Sequence, residues 1–351
     1  MYVNRTKTLL IGLHVDDFGL WGVSGNINPF KAALSEKVEL RDLGPMTKFL
    51  SMNVAAKKGK IVITQYHCVR EIVDEIDLTD GKVRNAPLPT NGNDQKVSSS
   101  ERVEPLVCQA AIGKLLYLST LTRPDVSFAI SKLSQKNNDP TRRDWNNVVH
   151  VVRYLEATER LSLVYEGTGT GTEELKVFCD ADWGGDDPEI FQTLCLAGAT
   201  FQLDRDKRSF SGHAILLSGS PIMWRSKKQT ITSLSTVESE LAAMCDTAKE
   251  ALWLMMLLTD CELGQVSIIP KPFPIYCDNL GTQCVAKPGL DGERSKHIDL
   301  RLSFLKDVVE QGKLTFNYVA SNENPSDIFT KPLSAIKTTQ LVKMLGLKNY
   351  G

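Results

Sequence analysis

The sequence predicts a mixed α/β and α+β chain built in three blocks, on three observations. Apolar runs bracketing an Asp-Asp pair open the first block, to about residue 90, and helical stripes fill the second. From residue 175 the pattern switches to short strands alternating with helices. Two polar stretches separate the blocks, NAPLPTNGNDQKVSSSERVEP (85–105) and EGTGTGTEE (166–174), rich in Pro, Asn, Gly, Ser or Thr. At 351 residues the chain exceeds one ordinary core and reads as two or three domains.

Bulk properties set the class. Hydrophobic content of 42% and charged content of 24% are those of a soluble globular protein. The apolar runs LLIGLHV (9–15) and AILL (214–217) fall far short of a membrane span. The N-terminal stretch has no small-residue cleavage site and runs into acidic residues, so no signal peptide is read. Eight cysteines without a CxxC pair argue against a zinc ribbon and for a reduced, intracellular setting. A formal net charge of −1 argues against a strongly basic nucleic-acid binder, although phosphate contact depends on local patches.

In the first block, LLIGLHV and FGLWGV flank Asp16-Asp17 and read as a hairpin with the acids at its turn. KIVITQY (60–66) is a further strand, leading into the helical pattern Val69, Ile72, Val73, Ile76. In the second block Ile112, Leu115, Leu116 and Leu118 form one helical stripe. Phe128, Ile130 and Leu133 begin another after the Arg123-Pro124 break, and Trp145, Val148, Val149, Val152 and Leu155 form a third.

In the third block LKVFCD is a short strand ending in acid, and HAILL (213–217) with PIMWRSKK (221–228) reads as an antiparallel pair turning at Ser218-Gly219-Ser220. Ser235 and Glu238 fit a capping box, opening a helix with Leu234, Val237, Leu241, Met244, Ala248, Leu252 and Met255 at 3.6-residue spacing. FPIYCD (273–278) is a second strand ending in acid, followed by a short helix. KHIDLRLSFLKDVVEQ (296–311) is a helix closed by Gly312, and LTFNYV (314–319) is a strand. A last helix start follows, with Asn324 as cap, Pro325 in the first position and Asp327 in the first turn.

Four acidic residues of this block thus sit at strand end, helix, strand end and helix start: Asp180, Glu240, Asp278 and Asp327. Such an order can converge carboxylates on a pair of divalent ions, the requirement of phosphodiester hydrolysis. Each residue also has a plainer reading. Asp favours turns after strands, and a carboxylate in a first helical turn stabilises the dipole whatever the function. Asp182 projects to the same face as Asp180, so periodicity does not choose between them. Glu238 and Glu240 lie about 200° apart on a helix, so only one faces a given site; the cap occupies Glu238 and favours Glu240 for chemistry. Arg205, Lys207, Arg208, Arg225, Lys227 and Lys228 form a basic stretch suited to phosphates or to a solvated face. Trp224 and Trp253 read as core residues, and by spacing alone Asp16-Asp17 reads as a plain turn.

The chain resembles the C-terminal part of the Pol polyprotein of copia-type retrotransposons along nearly its whole length. HVDD (14–17) is similar to the family's YVDD polymerase motif, with His14 for the usual Tyr, and DLGPMTKFL (42–50) to its DLG…FLG segment, with Ser51 where Gly is expected. Residues 112–134 and 145–158 resemble the segment joining polymerase to ribonuclease H. CDADW, WRSKKQTITSLSTVESELAA, IYCDN, SKHIDLR and DIFTKPL resemble the ribonuclease H signatures.

The resemblance implies a truncated reverse-transcriptase palm over 1–90, a thumb- or connection-like helical segment with linker over 91–170, and a ribonuclease H-like domain with a mixed five-stranded sheet over 171–350. It implies Asp180, Glu240, Asp278 and Asp327 as catalytic ligands of two Mg²⁺ ions, with Mn²⁺ as a substitute, and Asp16 and Asp17 as a remnant polymerase metal motif. The activity implied is two-metal cleavage of the RNA strand in an RNA–DNA hybrid, recognised by backbone shape and 2′-hydroxyls. The site implied is intracellular, in a cytoplasmic particle or the nucleus. Departures matter too. The third polymerase carboxylate and the fingers are expected upstream of residue 1, so polymerisation by this chain alone is not expected, unless another Pol chain supplies the missing parts. An apolar segment of roughly eighteen residues, near 187–204, interrupts the ribonuclease H block. Its presence makes a catalytically dead, nucleic-acid-binding remnant the alternative expectation.

Overall fold

The computed structural model describes residues 1–350 except 7, 58, 77, 79–80, 91–100, 168–173, 184–207, 234, 262–271 and 280–295. The apolar segment 187–204, Arg205, Lys207, Cys195, Cys284, Leu234 and the short helix expected after Asp278 lie outside the described residues.

The chain opens with β1 (Tyr2–Val3), β2 (Leu9–His14) and β3 (Asp17–Gly22), which form a three-stranded antiparallel sheet, followed by α1 (Ser24–Ser35). His14 pairs with Asp17, so the turn is Val15-Asp16, and Asp17 is the first residue of β3. Val15 carries φ of 52°, a left-handed conformation unusual for a β-branched residue. Trp21 lies across the same hairpin. A Cβ on Gly19 would sit 2.5 Å from its ring, so only glycine lets the indole lie flat there.

Next come β4 (Lys48–Phe49), β5 (Met52–Lys57), β6 (Lys60–Thr64) and α2 (Tyr66–Glu75). The expected stripe of α2 holds: Val69 and Ile72 are buried. The middle of the chain is helical: α3 (Pro105–Leu121), α4 (Ser127–Ser134) and α5 (Arg142–Ala157). Thr141 and Asp144 form a capping box at the start of α5, and Val148, Val151, Val152 and Leu155 are buried along it. Leu116, expected in the stripe of α3, is instead 50% exposed, because Ile112, Leu115 and Leu118 already complete the buried face.

A buried ion pair ties this block together. Arg123, in the break between α3 and α4, donates from Nε and Nη2 to the two carboxylate oxygens of Asp125 at 2.9 and 2.7 Å. Tyr154 Oη donates to the same carboxylate at 2.8 Å, and Arg123 Nη1 donates to the Thr158 carbonyl at 3.2 Å. The fork geometry satisfies most of the polar atoms, which makes burial of both charges tolerable.

Strand β7 (Leu161–Glu166) then pairs with β6, and the chain's last strand pairs with β7. The remaining elements are β8 (Leu175–Asp182), β9 (Phe210–Leu217), β10 (Ser220–Lys228), α6 (Thr236–Asp260), β11 (Phe273–Cys277), α7 (Lys296–Glu310), β12 (Leu314–Tyr318), α8 (Ala335–Met344) and β13 (Leu347–Asn349). They build two sheets. One has the order β10-β9-β8-β11-β12 and is the mixed five-stranded sheet: β8, β9 and β10 are antiparallel, while β11 runs parallel to both β8 and β12. The other, β13-β7-β6-β5-β4, draws strands from the first block, from residues 161–166 and from the C-terminal end.

The mixed sheet is covered on both faces. Val177, Cys179 and Ile275 face α6 and α7, where Leu241, Met244, Ala248 and Leu305 pack. Phe178, Ala214 and Leu216 face the opposite way, onto Ile328, Phe329 and Leu341. The helix expected at 325 is a five-residue 3-10 turn, Pro325–Phe329. Pro332 accounts for its brevity, since the residue before a proline is pushed out of helical conformation; the full helix α8 starts only after Ser334 caps it. Trp253, expected in the core, is 52% exposed, because α6 buries Ala248, Ala251 and Leu254 instead.

Asp125→Ala would leave Arg123 charged and unpaired in the interior. The expected loss is ~3–5 kcal/mol of unfolding free energy, measured by urea denaturation; a loss below ~1 kcal/mol, the scale of a solvated surface pair, would show that Arg123 reaches water.

Candidate metal centre

The site is built at one end of the mixed sheet by strand register. Ile275 pairs with Val177 and Tyr276 with Phe178 in parallel, and the same offset sets Asp278 beside Asp180. Period-two alternation puts Asp180 on the face of Phe178, where the 325–330 turn packs. Asn324 anchors that turn twice: its Oδ1 accepts from the Ser326 backbone N–H at 3.1 Å, and its Nδ2 donates to the Cys179 carbonyl at 2.9 Å. Thr330 Oγ1 donates to Asp180 Oδ2.

Gly212 makes this approach possible. It pairs with Asp180 across β9 and β8. A Cβ there would lie 2.6 Å from Phe329 Cβ, 2.9 Å from Thr330 Cγ2 and 3.1 Å from the Ser326 carbonyl. No side chain fits between the strand and the turn that carries Asp327.

Asp180, Asp278 and Asp327 therefore converge: each offers an oxygen, and these lie within 4.8 Å of one another. Glu240 is not part of that trio. It is buried on α6, accepts from the Ala181 backbone N–H, and its Oε2 has no hydrogen-bond partner. Of the rivals, Asp182 lies one pleat beyond Asp180 and outside the trio. Glu238 supplies the backbone N–H that Ser235 Oγ caps at 3.2 Å. Asp16 and Asp17 are exposed at their hairpin, and the trio is the one acidic metal-type cluster among the described residues.

Two lysines, given no role by sequence, complete the site. Lys331 Nζ lies 2.8 Å from Asp327 Oδ1 and 3.8 Å from Asp180 Oδ2. Lys337 Nζ lies 3.8 Å from Asp327 Oδ2. Ser321 Oγ donates to Asp278 Oδ2 at 2.6 Å. The signal for Lys331 was its position four residues after Asp327. Of the basic stretch, Arg225 pairs with Glu250 at 3.2 Å, and Lys228 donates to Gln135 Oε1 at 2.8 Å.

Crowding of carboxylates raises their proton affinity. Burial pushes the Asp180 carboxyl up to about 7, with Lys331 opposing the shift and Asp327 adding to it. Burial pushes Glu240 up to about 10, with the charges of Asp180 and Asp278 adding. Lys331 is held above its ordinary value: burial works against its charge, but Asp180 and Asp327 outweigh burial. A cluster of acids with an unsatisfied buried oxygen fits a hard divalent cation such as Mg²⁺ or Mn²⁺, whose ligands are carboxylate and water oxygens.

Residues 1–90 match the family described as reverse transcriptase (RNA-dependent DNA polymerase). The chain is 28% identical over 353 residues to the retrovirus-related Pol polyprotein from transposon TNT 1-94 of Nicotiana tabacum, covering 98% of this chain and 25% of that protein. It is 28% identical to the corresponding polyprotein from transposon RE2 of Arabidopsis thaliana, covering 90% of this chain and 20% of that one. It thus spans about a quarter or less of the length of these relatives. A secreted RxLR effector protein 161 of Plasmopara viticola is 37% identical over 145 residues, covering 41% of this chain and 89% of that protein. Among solved structures, a foamy viral protease-reverse transcriptase in complex with RNA/DNA hybrid aligns with a TM-score of 0.45 at 13% identity, over 89% of this chain and 36% of that one. LC11-RNase H1 in complex with RNA/DNA hybrid aligns with a TM-score of 0.27 at 11% identity, over 44% and 93%.

Two outcomes follow from the geometry. The folded carboxyls of Asp180 and Glu240 hold protons that the unfolded chain releases above pH ~4. The metal-free protein is therefore expected to lose stability as pH rises, through about 7 for Asp180 and on toward about 10 for Glu240. Glu240→Gln should flatten the decline above pH 7 in thermal unfolding at matched ionic strength; an unchanged slope would reject this electrostatic account. Gly212→Ala must displace the 325–330 turn, and is expected to destabilise by ~1–3 kcal/mol and to weaken Mn²⁺ uptake, read by titration calorimetry.

Proposed function

Because this chain belongs to the Pol polyproteins of copia-type retrotransposons, we propose that its last half is a ribonuclease H-type nuclease, cleaving the RNA strand of RNA–DNA hybrids. The observation that carries the reading is the convergence of Asp180, Asp278 and Asp327 at one sheet end, with Glu240 buried beside them. The domain division that accompanies it is a palm fragment over 1–90, a helical connection over 91–170 and the nuclease over 171–350.

In this reading Asp180, Asp278 and Asp327, with Glu240 buried beside them, would hold the two divalent ions. Bound Mg²⁺ or Mn²⁺ would supply Lewis-acid activation of the attacking water and charge stabilisation at the phosphate. The chain's own contribution is positioning. Thr330 and Ser321 each hold one oxygen of a ligand carboxylate. Asn324 ties the turn bearing Asp327 to the backbone of β8. Glu240 keeps one oxygen unengaged for an ion. Asp16 and Asp17 stand outside this chemistry, and the chain alone is not assigned polymerase activity.

The test is a gel assay of a labelled RNA–DNA hybrid with Mg²⁺. Cleavage of the RNA strand is expected, falling by more than ~100-fold in Asp278→Asn, beyond the 10–100-fold that outer-shell changes cost. Salt-dependent hybrid binding without turnover by folded protein would favour a catalytically dead remnant. Cleavage undiminished in Asp278→Asn would sink the site assignment.

A further inference from the structure

We propose that Lys331 is a tethered counter-ion that occupies one of the two cation positions of the carboxylate cluster and must swing away before a divalent ion takes that position. The inference rests on the metal-site reading above and concerns the order in which that site fills.

The observation is an asymmetry of charge. The Lys331 ammonium reaches two of the three converging carboxylates, Asp327 Oδ1 at 2.8 Å and Asp180 Oδ2 at 3.8 Å. The lysine is the close cationic neighbour of that Asp327 oxygen, which is otherwise without a hydrogen-bond partner. Lys337 Nζ stands 3.8 Å from the other oxygen of Asp327 and 3.4 Å from the Ser321 carbonyl. The opposite side of the cluster differs. Asp278 accepts from the Ser321 hydroxyl, and Glu240 Oε2 has no hydrogen-bond partner. Among the described residues, no ion pair with a cationic side chain is made by either Asp278 or Glu240. Among the described residues, positive charge is thus concentrated between Asp180 and Asp327.

Side-chain chemistry makes the lysine removable. Its backbone is fixed, because Thr330 is bonded to Asp180 and Pro332 follows. Its ammonium rides on a flexible four-carbon stem, unlike the rigid bidentate fork of arginine. The side chain is 37% exposed, so it has a route to solvent that the two carboxylates, nearly fully buried, lack. A first divalent ion would meet no cationic side chain of the described residues between Asp180, Asp278 and Glu240. A second, between Asp180 and Asp327, meets a resident positive charge at close range and binds only as that charge leaves. Loading is therefore ordered, and the second position is the weaker one by the interaction that Lys331 makes.

The test is Mn²⁺ titration of the intact chain, by calorimetry and by loss of the free-ion paramagnetic signal. Wild type is compared with Lys331→Met, of similar length without charge, and Lys331→Arg, which keeps it. Wild type is expected to show a tight and a weak class of site. In Lys331→Met the weak class should tighten about tenfold or more, ~1.4 kcal/mol, with the tight class changing less; Lys331→Arg should stay weak. A weak class that is unchanged or weaker in Lys331→Met, or a single class in both proteins, overturns the proposal. Should Lys331→Met not fold, Lys331→Gln is read by the same criteria. The nuclease reading fails separately, by absence of hybrid cleavage or its survival in Asp278→Asn; if wild type takes up no Mn²⁺ at all, both fail.

Discussion

Parallel pairing of β8 with β11 is the constraint on which the site depends. Parallel strands end on the same side of a sheet, so one register places Asp278 beside Asp180, each at the end of an apolar strand. Antiparallel pairing would send the same two residues to opposite ends. At the shared end Asp180 is buried and Asp278 only partly so, and like charges at close range disfavour joint ionisation. Everything around them answers that repulsion: hydroxyls from Thr330 and Ser321, an amide from Asn324 holding the turn, and ammonium groups from Lys331 and Lys337.

Much of this was legible in the chain, and the reasons differ by element. The hairpin at Ser218-Gly219 was written in its residues, and both adopt the positive φ that a tight two-residue turn demands. The helix ending at Gly312 was likewise marked by the one residue type that takes φ of 64° without strain. Asp180 and Asp278 announced themselves by matching positions after cysteines at the ends of strands. Periodicity did not separate Asp180 from Asp182; the motif resemblance pointed to Asp180, and it is Asp180 that the 325–330 turn packs against.

Other features were hidden for physical reasons. Gly212 reads as an ordinary strand glycine until its opposite face is known; the need for glycine comes from residues more than a hundred positions away. Leu116 and Trp253 sit at apolar spacing yet face solvent, because helical periodicity gives an arc and not its width. Pairing of β7 with both β6 and β13 was invisible, since a strand's hydrogen-bond partners leave almost no local trace. The buried Arg123–Asp125 pair looked like a helix break, and only tertiary context shows that its charges hold α5 against the α3–α4 corner.

The sheet β13-β7-β6-β5-β4 has a consequence for how the molecule can be divided. Its last strand is antiparallel to residues 161–163, and Gly346 presses against the Gly219 carbonyl where no Cβ would fit. The C-terminal strand is thereby stitched to the β9–β10 turn of the mixed sheet and to β7, and only through β7 to β6 of the first block. A piece cut at residue 171 would keep every converging carboxylate but strip β7 from beside β13, leaving Leu341 and Leu347 without the cover of Leu163. The smallest fragment with a closed interior is therefore larger than the one that holds the acids, because β13 needs β7 beside it.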